Sequence, residues 1–366
     1  MKALLVQKGR LTDNVRTILR IMGDSSVYAV LKGNAYGLGL VETARIIKEC
    51  GVHRFALTDL EDAIALRKAG FVDEEILLLR STSEPEFIEG LIEYNLVGTV
   101  GSMDAAVAMS GIAASRKTVV EAHVEIDTGM GRYGFSPDEM DKLIQVYKYM
   151  DGLALTGIYT HFSESYKKSD KRTRAQLDAL KDVVDKLHAA GIEPGLVHAA
   201  NSSAALLYDW ARLGAVRIGS AFLGRVAAKN TGVKLGKVGT MVSEICEIRQ
   251  LPAGATVGYG SAYRAKRERR IAIIPVGYAD GWCVEKSHDS YRIRDALLYA
   301  ASNIWRCIRG RKMYVTINGE RARVLGHIGM AHTVADVTKM KCAVGDRVLL
   351  DVNPILVPSH IERIYQ

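Results

Sequence analysis

Through about residue 220, short apolar, β-branched runs alternate with longer stretches whose apolar positions recur at helical spacing. The runs are 27–32 (VYAVLK), 54–58 (RFALT), 75–80 (EILLLR), 96–100 (LVGTV), 119–127 (VVEAHVEID), 154–160 (ALTGIYT), 196–200 (LVHAA) and 214–218 (GAVRI). Each has the length and composition of a strand. The intervening pattern predicts helices over 40–50, 60–69, 84–95, 102–114, 137–149, 171–190 and 203–210. Strands that return through helices must run parallel, and eight such units predict a (βα)8 TIM-type barrel.

From about Gly232 the helical period gives way to strand patterns: MVSEICEIRQL, RRIAIIPVGY, KMYVTI, ERARVLGHI and DRVLLDV. Asn318-Gly319 between two of them is a type I′ hairpin signal, because both central positions require positive φ. The expected organisation is a barrel over 1–225, its first few residues free to join the other domain, and a mostly β domain over 226–366. Within the latter, DALLYAASNIWRCI predicts a helix inside the stretch 283–313.

Composition narrows the class. With 48% hydrophobic and 25% charged residues the chain is ordinary for a globular protein, and no run approaches the about 20 apolar residues of a membrane span. The N-terminus lacks the pattern of a secretory signal. Five scattered cysteines without a C-x-x-C pair argue against a disulfide framework and a zinc site, and fit a cytoplasmic protein. The net charge of +8 is spread along the chain except at RAKRERR (264–270) and RCIRGRK (306–312). No aromatic residues interleave with those runs, and RAKRERR is expected to be a solvated face or subunit contact rather than a nucleic-acid patch.

Barrel enzymes place their chemistry at the C-terminal ends of the strands. Those ends carry Lys32, Arg132, His161, Asn201, Ser202, Arg217 and Gly219. A lysine at the end of a buried strand loses hydration, its pKa falls, and it becomes an amine that condenses with a carbonyl. Asn201 and Ser202 can cap the short helix after them, and a helix start with a free hydroxyl accepts phosphate. A lysine, two arginines, a histidine and a hydroxyl on one rim suit a ligand with an aldehyde and a phosphate, together with a carboxylate-bearing substrate. Pyridoxal 5′-phosphate answers that description.

Seven collinear blocks, VLKGNAYGLG, IDTGMGRYGF, GIYTHF, HAANSSA, VRIG, VGYGSAY and VGYADGW, resemble the alanine racemase family of pyridoxal-phosphate enzymes. The resemblance implies a homodimeric amino-acid racemase acting on alanine, with Lys32 as Schiff-base lysine and first base and Tyr259 as second base, the latter given by the partner subunit. It further implies that Tyr36, Ser202 and Gly219 hold the phosphate and that Arg217 faces the pyridine nitrogen. His161 would sit between Arg217 and Tyr259, Arg132 beside the cofactor's phenolic oxygen, and Tyr278 with Met330 on the substrate side. Removal of a proton from one face of Cα and its return on the other requires two bases. A phenol of reference pKa ~10 needs cations to act as one near neutrality, and His161 and Arg217 are expected to provide them.

Departures from the family pattern are equally specific. Glu125, seven residues before Arg132, stands where the family carries a carbamylated lysine; it is expected to pair with Arg132 as a carboxylate available at all times. GHIGMAH, with Met330 and Ala331, replaces a cysteine–methionine–aspartate run, and no counterpart of the C-terminal phosphate-binding tyrosine is identified in DVNPILVPSHIERIYQ. These changes keep a serine or other amino-acid racemase as the alternative. A barrel decarboxylase is disfavoured by Arg217 at the ring nitrogen, and a non-catalytic pyridoxal-phosphate carrier by the GYG motif.

Overall fold

The computed structural model describes residues 1–285, 292–308 and 312–366. The chain divides into two compact units, one spanning Lys8–Val238 and one formed by Met1–Gln7 with Gly239–Gln366.

The first unit is a closed parallel barrel. Its strands, in order, are Ser26–Val30, Arg54–Leu57, Glu75–Ser81, Val97–Val100, Val120–Glu125, Leu153–Tyr159, Leu196–Asn201 and Ala215–Ile218. The eighth closes on the first, with Arg217 opposite Tyr28. Helices Leu40–Glu49, Leu60–Lys68, Pro85–Glu93, Met103–Ser115, Met140–Tyr149 and Lys171–Ala189 form the crossovers. A further helix, Lys8–Met22, precedes the barrel; it buries Leu11, Val15, Ile18 and Met22, a helical spacing diluted by charge in the sequence. Alternate strand residues Tyr28, Val30, Ala56, Leu77, Val97 and Ala215 pack into one buried cluster, the period-two face expected of strands.

Among the described residues, the second unit contains a nine-stranded sheet and a separate two-stranded ribbon. Ala3–Val6 pairs antiparallel with Thr240–Glu244 and parallel with Glu362–Tyr365, so the chain's first strand belongs to this sheet. The hairpin at Asn318-Gly319 is present, with φ of 49° and 85° at the turn and Ile317 opposite Glu320. Helix Ile293–Ile308 occupies part of the stretch 283–313, while residues 286–291 and, from the basic run at 306–312, residues 309–311 lie outside the described residues. Among the described residues no helix is long and apolar enough to cross a membrane.

Candidate active site

The backbone after the first barrel strand takes an unusual course. The strand ends at Val30, and Lys32 opens one turn of left-handed helix in which Gly33, Asn34, Ala35 and Tyr36 have φ of 62°, 55°, 53° and 53°. Each non-glycine residue held there costs roughly 1–2 kcal/mol. The turn is secured by Ala35 N–H donating to Leu31 O at 2.8 Å, by Gly37 N–H donating to Gly33 O at 2.9 Å, and by Leu40 N–H donating to the Asn34 side chain at 2.8 Å. Lys32 is therefore not a residue of a buried strand. It is exposed where it enters a cavity, and enclosure by the cavity walls, then the Arg132 charge, lowers its pKa.

That cavity, of about 300 Å³, is lined by Lys32, Tyr36, Arg132, His161, Asn201, Ser202, Arg217 and Gly219, so the barrel brings together all of the rim residues singled out from strand ends. Tyr36 is a neutral phenol, pushed up to about 12 by burial. Gly219 has no room for a side chain, because a Cβ there would lie 2.2 Å from Tyr36 Oη. Its N–H donates to Ser202 Oγ at 2.9 Å. Asn201 is spent as a helix cap: its Oδ1 accepts from Ser203 N–H and Ala204 N–H, each at 3.2 Å, and from Ser165 Oγ at 2.8 Å. Two of the helix-start donors expected for phosphate are thus already engaged.

Arg217 is 2% exposed. Its Nη1 donates to His198 Nδ1 at 2.6 Å and its Nη2 to Thr160 O at 2.7 Å and Ala199 O at 3.1 Å. His161 Nδ1 lies 3.4 Å from the same Nη2. Nε is buried without a hydrogen-bond partner among the described residues, and an unpaired buried donor of this kind is costly unless a ligand supplies the acceptor. His161 departs from expectation: burial, then Arg217, Arg132 and Lys32, lowers its pKa to about 3. It is neutral near pH 7, and the positive charge around it comes from Arg217, Arg132 and Lys32.

Glu125 does not line the cavity. It is 2% exposed, accepts from Tyr159 Oη at 3.1 Å, and faces Arg132 Nη2 at 3.8 Å. The pair is an ion pair without a direct hydrogen bond, and Arg132 is 40% exposed, so its net worth falls in the range of about 0–1 kcal/mol for screened pairs. Burial raises the Glu125 pKa to about 7 against the opposing effects of Arg132 and Arg217. The carboxylate is then charged above about pH 7 and not at all times, contrary to the sequence-based expectation.

Several cavity residues escaped the sequence reading. Tyr159 lies 4.8 Å below the Arg217 guanidinium and bonds Glu125 and, at 3.1 Å, Thr99. Met130, Ser165 and Ser220 also line the cavity. For Tyr159 the signal available was a polar residue within an apolar strand; Met130, Ser165 and Ser220 lie outside the strands.

Tyr259, Tyr278 and Met330 belong to the second unit and are 80%, 52% and 61% exposed. Tyr259 sits in a turn bracketed by the two-residue strands Thr256–Val257 and Tyr263–Arg264. Gly258 packs on His327, and Tyr278 N–H donates to Gly329 O at 3.1 Å while Ala279 N–H donates to Met330 O at 3.0 Å. One segment, 326–330, thereby supports both tyrosines.

A sequence model of the alanine racemase N-terminal domain matches residues 6–226, and one of the C-terminal domain matches residues 238–354. The alanine racemase of Carboxydothermus hydrogenoformans is 35% identical over 272 residues, 74% of this chain and 73% of that one. The alanine racemase of Desulforamulus reducens is 33% identical over 330 residues, 88% of this chain and 82% of its own. Among solved structures, an alanine racemase of Clostridium difficile 630 superposes with a TM-score of 0.86 at 27% identity, covering 100% of this chain and 95% of that one. The chain belongs to the alanine racemase family and is an isomerase.

Proposed function

We propose that the enzyme interconverts L- and D-alanine with pyridoxal 5′-phosphate held in the barrel cavity, by a two-base mechanism in a homodimer. The observation that carries this reading is Arg217, a buried cation whose Nη1 and Nη2 are hydrogen-bonded to the barrel and whose Nε is left for an acceptor, in a cavity that also holds Lys32. The residues fit the cofactor: Lys32 for the aldehyde, Arg217 Nε for the ring nitrogen, and Tyr36, Ser202 and the side-chain-free Gly219 for the phosphate. Asn201 supports that end by capping the helix that carries Ser202. When bound, pyridoxal phosphate offers a carbonyl for amine condensation and a ring that draws electrons from the substrate Cα.

Lys32, with its lowered pKa, is suited to take up and return a proton on one face of Cα. Tyr259 is assigned the other face. Because Arg217 cannot release its proton, it stabilises charge at the ring nitrogen without protonating it fully, which favours reprotonation at Cα over side reactions. Arg132 is placed to pair with a carboxylate or phenolate, and Tyr278 and Met330 are assigned to the substrate entrance. Reconstitution with pyridoxal phosphate, read by visible absorbance, followed by polarimetry on L-alanine and L-serine, tests cofactor and substrate together. Racemisation of serine in preference to alanine would replace the substrate assignment and keep the reaction.

Glu125 acts in this scheme by orienting Arg132. Since burial raises its pKa to about 7, the pair is complete above that pH and lost below it. The expected result is a kcat/KM for L-alanine that rises through about pH 7 in the wild type and lacks that rise in Glu125→Gln. At pH 8 the variant should lose roughly two- to fivefold, the scale of a screened pair. Identical profiles for the two enzymes would remove Glu125 from the mechanism.

A further inference from the structure

Behind Arg217 the barrel interior holds two histidines, His123 on the fifth strand and His198 on the seventh, 2% and 0% exposed. His198 Nδ1 receives Arg217 Nη1 at 2.6 Å, and His198 Nε2 lies 2.9 Å from His123 Nδ1. A guanidinium donates and never accepts. His198 Nδ1 must therefore be the acceptor, its ring proton sits on Nε2, and that N–H donates to His123 Nδ1. His123 in turn carries its proton on its own Nε2. One cation thus dictates the tautomer of two rings in sequence. Both rings are neutral: burial, assisted by Arg217, lowers His123 to about 4 and His198 well below the ordinary histidine value.

The backbone is shaped around this pair. The register of the fifth strand against the sixth shifts between Ala122 and His123, and that of the seventh against the eighth shifts between His198 and Asn201. Such irregularities re-aim side chains. The sixth strand supplies Gly157, where a Cβ would lie 2.7 Å from His123 Cε1. His198 is held between the rings of Tyr28, at 5.4 Å and 27°, and Tyr159, at 4.8 Å and 19°. Packing of this kind restricts the imidazole to one plane, so its hydrogen-bonding direction is set by His123 and Arg217 alone.

We propose that His123 is a positioning residue that acts through His198 to hold the Arg217 guanidinium in the orientation that leaves Nε free for the cofactor's ring nitrogen. This rests on the assignment of the cavity to pyridoxal phosphate, and the experiment separates the two. Long-range 1H–15N spectra of the protein labelled at histidine, with and without pyridoxal phosphate, report tautomers directly. His198 is expected as the Nε2–H form in both samples, without titration between pH 6 and 9. An Nδ1–H form, or titration in that range, overturns the proposal whether or not the enzyme racemises alanine.

His123→Leu removes the acceptor, and His123→Asn places Oδ1 near the former Nδ1. The leucine variant is expected to keep the Nε2–H tautomer of His198 that Arg217 dictates, with the His198 Nε2–H resonance shifted by loss of its acceptor, and to show a kcat lower by about 10- to 100-fold, the cost of a small misplacement at a reacting centre, with KM for L-alanine within about twofold. The asparagine variant should restore the hydrogen-bonded position of the His198 Nε2–H resonance and most of kcat. Equal kcat losses in both variants, or a folded leucine variant with wild-type kcat, overturns the proposal. If the leucine variant does not fold, the wild-type spectra and the asparagine variant decide. A wild-type enzyme inactive on alanine but with the expected spectra would overturn the functional assignment and support the His123–His198–Arg217 arrangement.

Discussion

Lys32→Ala is expected to yield a folded protein that neither develops the visible absorbance of a bound cofactor imine nor racemises alanine, with turnover reduced more than about a thousandfold. The lysine enters the cavity from a left-handed turn secured by backbone bonds, so truncating its side chain removes chemistry and leaves the turn in place. Among the described residues lining the cavity it is the only lysine. The other cations there, Arg132 and Arg217, cannot act as amine nucleophiles because a guanidinium stays protonated. Absorbance on addition of pyridoxal phosphate and a racemisation assay check both halves. Near-normal turnover in this variant would remove Lys32 from the mechanism.

Tyr259→Phe is expected to abolish proton removal from one enantiomer while sparing cofactor binding, because the phenol is assigned to Cα and not to the phosphate or ring. Deuterium incorporation at Cα, measured separately from L- and D-alanine, should fall far more from the L side. Equal losses from both sides would contradict the division of labour. The same variant tests the dimer. Lys32 and Tyr259 lie on different units of the chain, and a tyrosine donated by the partner makes two inactive variants complementary. When Lys32→Ala and Tyr259→Phe chains are unfolded, mixed and refolded together, half of the dimers pair one of each. Each such dimer contains one intact site and one doubly defective site, so activity should recover to about a quarter of wild type for a two-fold symmetric dimer. No recovery, with mixed dimers demonstrated by mass, would place Tyr259 in the site of its own chain.

The barrel was readable from the sequence because parallel strands buried on both faces produce continuous apolar runs, as in EILLLR and LVGTV, and their crossover helices carry the contrasting 3.6-residue period. The helix Lys8–Met22 was not, since charged residues at Arg10, Asp13, Arg16 and Arg20 hide an apolar stripe that only its packing makes evident. Lys32 was found at a strand end, but its left-handed turn leaves no mark on the sequence beyond glycines at 33 and 37, and non-glycine Asn34, Ala35 and Tyr36 argue locally against it. His123 and His198 read as single polar residues within apolar strands. Their relation spans 75 positions and exists only once the barrel is closed.

Residue types and their order were sufficient to determine the barrel, the β-rich second unit, the family and the group of side chains at the strand ends, because periodicity and motif spacing are local properties of the chain. Protonation was decided by tertiary structure. His161 was expected as a cation and is neutral, and Glu125 was expected as a permanent carboxylate and titrates near 7. The physical reason is common to both: a charge's free energy depends on the water and the charges removed from or brought to its surroundings, and those are set by strands distant in sequence that meet when the barrel closes.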